Sequence, residues 1–191
     1  IDSIMSAGTY YKKEAERPDT GVYHGFHHVT FWCSNAKQAS DWYVGRFGFK
    51  KILYKGLENK ERTYAEHVVK QNKIIFRFVS AYSPDDEEFT KFLGKHGDAV
   101  KDVAFQVSDV KKVYERAIEG GATSIKAPWE EKDDTGSVLQ ATVQTYGDCT
   151  HTFVQVNDFK GEFLPGYQAV SGGEDPFHKI TGPVGLHLLI I

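Results

Sequence analysis

The stretch GFHHVTFWCSN, residues 25–35, decides the fold. It alternates, with Phe26, His28, Thr30 and Trp32 on one side and His27, Val29, Phe31 and Cys33 on the other. Both sides carry large or β-branched groups, so the spacing predicts a strand covered on both faces. Ser34-Asn35 offers an N-cap, and residues 36–47 then place Ala39, Trp42, Tyr43 and Phe47 on one helical face, with Gly48 as the stop.

Working outward, residues 49–54, 62–70 and 73–81 read as three strands, the last two joined at Gln71-Asn72. Ser83-Pro84-Asp85-Asp86-Glu87 reads as a helix start with Ser83 as cap, and Phe89, Phe92 and Leu93 point inward from that helix. The order then repeats. Residues 99–107 form a strand, Ser108 or Asp109 a cap, and 110–119 a helix ended by Gly120-Gly121. Residues 123–127 form a short strand broken by Pro128, and 137–146 and 150–156 form two more. Two units of strand, helix and three strands, each about 60 residues long, make an internal repeat. His28 and Asp102 fall at matching places on the first strand of each copy, and Phe78 and Gln155 on the last. Neither unit can bury both faces of its sheet alone, so the two are expected to pair.

The expected organisation is a leader over 1–24 and a paired-module domain over 25–167, with modules near 25–82 and 98–157. A Gly-rich linker over 168–183 follows, then the start of a truncated second domain over 184–191. The chain begins with Ile and stops on the apolar run Leu186–Ile191, which suggests a fragment or an altered C-terminus.

Composition narrows the class. With 26% charged and 40% hydrophobic residues the 191-residue chain is expected to be globular rather than disordered. A net charge of −3 gives no reason to expect nucleic acid or an anionic membrane as partner. No signal peptide or membrane-length apolar run is visible, and Cys33 and Cys149 fit two free thiols in a reducing, cytoplasmic setting.

The candidate chemistry is sparse. His27 and His28 are adjacent on a strand, so alternation sends them to opposite faces, away from a common ion. His67, beside Glu66, and His151 are isolated by pattern, and no HxxxH or HExxH spacing occurs. Cys149, two residues from His151, lacks the third group that a Cys–His nucleophile needs. The acids at 85–88 and 130–134 suit a helix start and a solvated turn. Ser171-Gly172-Gly173 lacks the Lys and helix of a phosphate loop.

Three stretches carry a resemblance. Residues 25–49, VQTYGDCTHTFVQ at 143–155 and above all GEFLPGY at 161–167 resemble the N-terminal half of the 4-hydroxyphenylpyruvate dioxygenase family, over roughly Tyr23 to Tyr167. The resemblance implies an α+β fold of two βαβββ modules of the vicinal oxygen chelate type, shared with glyoxalase I and extradiol dioxygenases. It implies a non-haem Fe(II) enzyme of tyrosine and phenylalanine catabolism. Such an enzyme takes 4-hydroxyphenylpyruvate, a 2-oxo acid, and O2 to homogentisate and CO2 and works as a homodimer. In this family the iron ligands, two His and a carboxylate, lie in the C-terminal half. In register, the first falls at or just after Ile191, so His187 is not it. No catalytic, cofactor-binding or metal residue is therefore expected in this chain, and no cofactor. The partner is its own C-terminal domain.

Within the repeat, the places equivalent to those ligands are His28, Asp102 and Gln155. Gln is a poor iron ligand, and a duplicated, non-catalytic half keeps degenerate sites, so the plainer reading is a hydrogen-bonded, cleft-lining trio. Two alternatives stay open: a relative of the 4-hydroxymandelate synthase type, and a non-catalytic module that binds a small molecule or metal.

Overall fold

A computed structural model of the protein describes residues 21–170. The strand predicted from residues 25–35 is β1, Tyr23–Trp32. It starts earlier than expected because Val22 and Ser108 exchange hydrogen bonds: Ser108 N–H donates to Val22 O, and Val22 N–H donates to Ser108 Oγ. The end of the expected leader is thus stitched into the sheet. Asn35 caps α1, Ala36–Phe47, accepting from the Gln38 N–H at 2.9 Å. Gly48, at φ 72°, ends α1 in the left-handed conformation that a Cβ disfavours. Strands β2 (Lys50–Lys55), β3 (Tyr64–Gln71) and β4 (Ile74–Ala81) complete the first module, with a 3-10 turn over Leu57–Asn59.

The connector helix α2, Glu87–His96, is capped by Asp86 rather than Ser83. Ser83 instead closes a local turn with Asp85, and the Asp86 carboxylate takes the Phe89 N–H at 2.9 Å. The ionised cap suits the positive end of the helix better than a hydroxyl three residues earlier. Phe89 and Phe92 pack on Trp32 with ring centroids 4.7 and 5.3 Å away.

The second module repeats the first: β5 (Ala99–Val107), α3 (Val110–Glu119), β6 (Ser124–Asp133), β7 (Gly136–Gln144) and β8 (Thr150–Val156). Asp109 is the α3 cap. Strand β6 runs through Pro128, where the expected break appears only as a register shift between Lys126 and Trp129. It lies at one edge of the sheet, where a residue without an N–H is tolerated.

All strands join in one sheet of order β6-β7-β8-β5-β1-β4-β3-β2-β9, where β9 is Gln168–Ala169. Each module has the same internal order, and in each the first and last strands run parallel. The modules meet edge to edge through the antiparallel β1–β5 seam, around the pair Val29↔Val103. Helix α1 buries Cys33, Val44, Phe49, Val69, Phe76 and Phe78 on one face of the sheet, and α3 buries Val107, Val113, Val143 and Phe153 on the same face.

The opposite face is bridged by residues 157–167, the GEFLPGY segment. Phe163 and Leu164 pack on Leu53 and Val68 of the first module and on Ala104, Val138 and Val154 of the second. The segment lies so close to the β6–β7 turn that a Cβ on Gly136 would fall 2.6 Å from Phe159 Cα. The chain then pairs with β2 through β9, and Val170 N–H donates to Ile52 O. The first residues of the expected linker therefore belong to the sheet. Residues 1–20 and 171–191, with the remainder of the linker, the expected second-domain start and His187, lie outside the described residues.

Candidate functional site

Alternation on the central strands sends one set of side chains under the helices and the other into a cleft of about 710 Å³ on the bridged face. The register aligns the polar ones. Thr30 pairs with Arg77 on β4 and with Asp102 on β5, and Asp102 pairs with Thr150 on β8. A row Arg77–Thr30–Asp102–Thr150 thus crosses four adjacent strands, all of it lining the cleft.

Two polar knots surround the row. Glu66, almost wholly buried, accepts from Arg77 Nε at 2.6 Å and from the Tyr167 hydroxyl at the end of the bridging segment. Burial disfavours the Arg77 charge most, but Glu66, with Tyr167 and Asp102, together outweigh it and leave Arg77 more firmly protonated. On the other side, Asp102 Oδ1 accepts from Thr150 Oγ1 at 2.6 Å and Thr152 Oγ1 at 2.9 Å. Burial still raises the Asp102 pKa, opposed by those two hydroxyls and by Arg77. Thr30 Oγ1 is buried without a partner.

His27 and His28 do not part to opposite faces. A bulge between Phe26 and His28 in the β1–β5 ladder lets two residues of β1 face one of β5. The two Nδ1 atoms lie 2.7 Å apart, and both rings pack on Phe163, at 5.6 and 4.8 Å. Burial lowers the pKa of His27 to about 4 and holds that of His28 well below the ordinary imidazole value, the latter helped by the charges of His27 and Arg77. At neutral pH the pair is one N–H donor facing one acceptor nitrogen.

Of the sequence trio, His28 and Asp102 do line the cleft, and Gln155 does not. Gln155 Oε1 accepts from the Val110 N–H at 2.9 Å, at the start of α3 on the helix face, and its Nε2 donates to Asn157. The repeat explains the discrepancy. If His28 matches Asp102, then Thr30 matches Ala104, and the parallel ladders Thr30↔Arg77 and Ala104↔Thr152 match Arg77 with Thr152. Phe78 then corresponds to Phe153, not Gln155, whose true counterpart is Ser80. Ser80 Oγ takes the first N–H of α1, from Ala36, as Gln155 takes the first N–H of α3. Both are ties between a module's last strand and the start of its helix.

The remaining candidates are dispersed. His67 faces away from Glu66 and packs on Tyr54, with burial lowering its pKa to about 4. His151 lies 3.2 Å from Val103 O and against Phe105. The Cys149 thiol donates to Val100 O, and burial pushes the Cys33 thiol up to about 12. Arg77, Glu66, Thr30 and Tyr167 were not legible as a site. Alternation puts Thr30 on the His28 side of its strand, but no local signal joins it to residues of other strands.

A facial triad for Fe(II) needs two imidazoles and a carboxylate with free lone pairs directed at one point. Here His28 shares its Nδ1 with His27, Asp102 Oδ1 is taken by two hydroxyls, and a guanidinium occupies the place that mirrors Thr152. A cation amid the donors repels a metal ion. Among the described residues no group of three His, Cys, Asp or Glu side chains is placed to hold one. This cleft does not fit iron.

Comparison with known proteins agrees with the fold and the repeat. The family model described as hydroxyphenylpyruvate dioxygenase, HPPD, N-terminal matches residues 18–163. The 4-hydroxyphenylpyruvate dioxygenase of Dictyostelium discoideum is 46% identical over 166 residues, covering 86% of this chain and 45% of that one. The Danio rerio enzyme of the same name is 50% identical over 161 residues, covering 84% and 41%. The chain thus spans less than half the length of these relatives. Among solved structures, a mutant of 4-hydroxymandelate synthase from Streptomyces coelicolor aligns with a TM-score of 0.63 at 22% identity, over 73% of this chain and 44% of that one. A methylmalonyl-CoA epimerase in complex with methylmalonyl-CoA aligns at 0.59 and 15%, over 74% and 100%. At such identities the likeness is one of fold, the paired-module vicinal oxygen chelate α+β architecture. With its family model matched over most of its length, this chain belongs to the hydroxyphenylpyruvate dioxygenase N-terminal domain family.

Proposed function

We propose that this chain is the N-terminal half of a 4-hydroxyphenylpyruvate dioxygenase, a non-haem Fe(II) enzyme that converts 4-hydroxyphenylpyruvate and O2 to homogentisate and CO2. The observation that carries the reading is the family match over residues 18–163, joined to 46–50% identity with enzymes of that name. The iron and the reacting 2-oxo acid belong to the half that follows. The unsuitable donor set of the cleft supports that division, because Arg77 and the bonded Asp102 leave no open triad. In this reading the present half scaffolds the catalytic one and joins it in a homodimer, and the chain beyond β9 carries the connection. Two unpaired cysteines fit a cytoplasmic enzyme.

The test is product formation. The 191-residue chain, incubated with 4-hydroxyphenylpyruvate, Fe(II) and ascorbate, is expected to yield no homogentisate. The same half joined to the rest of the protein is expected to yield it. Turnover by the isolated chain would overturn the placement of chemistry. The fold likeness to 4-hydroxymandelate synthase supports a second reading, and 4-hydroxymandelate as the product of the joined protein would establish it instead.

A further inference from the structure

The cleft has no use in the proposed dioxygenase chemistry, yet it is built as a binding site. Its volume, about 710 Å³, is that of a small-molecule pocket. Its floor holds more hydrogen-bonding capacity than the protein itself uses. Thr30 is 4% exposed and its hydroxyl has no partner. Arg77 commits Nε to Glu66, while no described residue accepts from its two terminal nitrogens. Asp102 commits Oδ1 to two threonines, while no described residue donates to Oδ2. Gln140, 4% exposed on the same lining, has no side-chain hydrogen bond among the described residues. Of these, Thr30 Oγ1 is the buried group left without a partner, a costly arrangement, and the free atoms of Arg77, Asp102 and Gln140 face the cleft beside it, so the floor marks a place where another molecule completes the bonding.

The order of these groups specifies the molecule. A cation, an unpaired hydroxyl and an anion stand in one cross-strand row, with strands roughly 4.8 Å apart. Although two strands apart, Arg77 and Asp102 are close enough at their side chains to influence each other, so a ligand meeting all three groups carries a carboxylate and an ammonium group a short distance apart. Above the row Trp32, Tyr64, Phe92, Trp129 and Leu164 give the lining apolar, mostly flat surface, interspersed with charged side chains of both signs such as Lys101 and Glu131. Such walls accept a bulky flat side chain. Lys55 and Lys126, poised over the rings of Tyr167 and Trp129, bring positive charge to the lining and draw carboxylates inward.

We propose that this cleft binds a zwitterionic α-amino acid with an aromatic side chain. Its carboxylate sits on the free face of Arg77 and the Thr30 hydroxyl, and its ammonium on Asp102. The site is separate from any iron centre and does not depend on the dioxygenase assignment. Because the Glu66 carboxylate that holds Arg77 also holds Tyr167, occupancy bears directly on the residue preceding β9, and so on the chain leading to the next domain.

The test is calorimetric titration of the 191-residue chain with three probes of one shape: L-phenylalanine, 3-phenylpropanoate, which lacks the ammonium, and 2-phenylethylamine, which lacks the carboxylate. L-Phenylalanine is expected to bind saturably at one site, and each singly charged probe roughly tenfold or more weaker, from the loss of one charge-assisted hydrogen bond. Asp102→Asn keeps the acceptor for Thr150 and Thr152. It is expected to weaken L-phenylalanine about tenfold while leaving 3-phenylpropanoate unchanged. Thr30→Val removes only the unpartnered hydroxyl, so it folds at least as well as the parent and weakens both carboxylates. Equal binding of 3-phenylpropanoate and L-phenylalanine, or no saturable binding of L-phenylalanine, would overturn the proposal. Neither result would touch the dioxygenase reading, which is tested by product.

Discussion

Replacing Glu66 by Leu removes a carboxylate while nearly keeping its volume, so the response isolates electrostatics. Glu66 is 3% exposed at its side chain and holds two partners, Arg77 Nε and the Tyr167 hydroxyl. Breaking a fully buried pair costs about 3–5 kcal/mol because an unpaired charge remains inside. Here the charge left behind is Arg77, whose side chain is 27% exposed toward the cleft and stays partly hydrated. The expected cost of Glu66→Leu is therefore nearer ~2–3 kcal/mol, including the lost acceptor of Tyr167. For a domain of this size that lowers Tm by roughly 5–10 °C. Arg77→Met strands the more deeply buried partner and is expected to cost more, about 3–5 kcal/mol. The double variant strands neither charge and is expected within ~1 kcal/mol of the parent. Urea unfolding of all four proteins, followed by tryptophan fluorescence, closes the cycle. If the two single costs simply add in the double variant, the pair is not coupled and the reasoning fails.

Two further outcomes follow from the same structure. His27 has a folded pKa of about 4 against an ordinary value near 6.5, so the unfolded chain takes its proton first as pH falls. Its stabilising contribution is complete above pH 6.5 and is lost on the way down to 4, by up to ~3 kcal/mol, and His67, lowered to about 4, and His28, lowered by burial, act in the same direction. Denaturant titrations at pH 7, 6 and 5 measure this, and His27→Phe should remove up to one proton from the slope; an unchanged slope would count against it. Gln155→Ala unties the start of α3 and is expected to cost about 0.5–1.5 kcal/mol while leaving Fe(II) titration of the chain unaltered. A change in metal affinity would return Gln155 to the cleft.

The repeat was readable because caps and stops are local. Asn35, Asp109, Gly48 and the alternation of 25–33 state their roles within a few residues. The pairing of His28 with Asp102 was also readable, since both lie on the module's first strand, before spacing differences accumulate. On the last strand one extra residue separates the copies. The match of Phe78 with Gln155 overshot its structural partner Phe153 by two positions, and a helix tie was placed in the cleft-lining trio. The His27–His28 contact was invisible because a bulge cancels alternation, and bulges depend on the partner strand. Arg77, Glu66 and Tyr167 come from β4, β3 and the bridging segment, so only the assembled sheet brings them together. The resemblance of GEFLPGY to the family pointed to that segment without its physical role, which is to close one face over both modules.

The central seam carries a consequence for synthesis. Strand β1 finds its parallel neighbour β4 within its own module, yet its other edge pairs only with β5, where Trp32 meets Ala99 and Tyr23 meets Val107. A ribosome must add 75 residues after Trp32, as far as Val107, before the full seam can zip, roughly 4–15 s at ordinary elongation rates. Throughout that interval a bare edge bearing Phe26, Val29 and Phe31 is available to any passing strand, a second nascent copy included. The irregular hydrogen-bond spacing of β1, which brings the two imidazoles together, also makes that edge a poor template for a flat, misregistered neighbour.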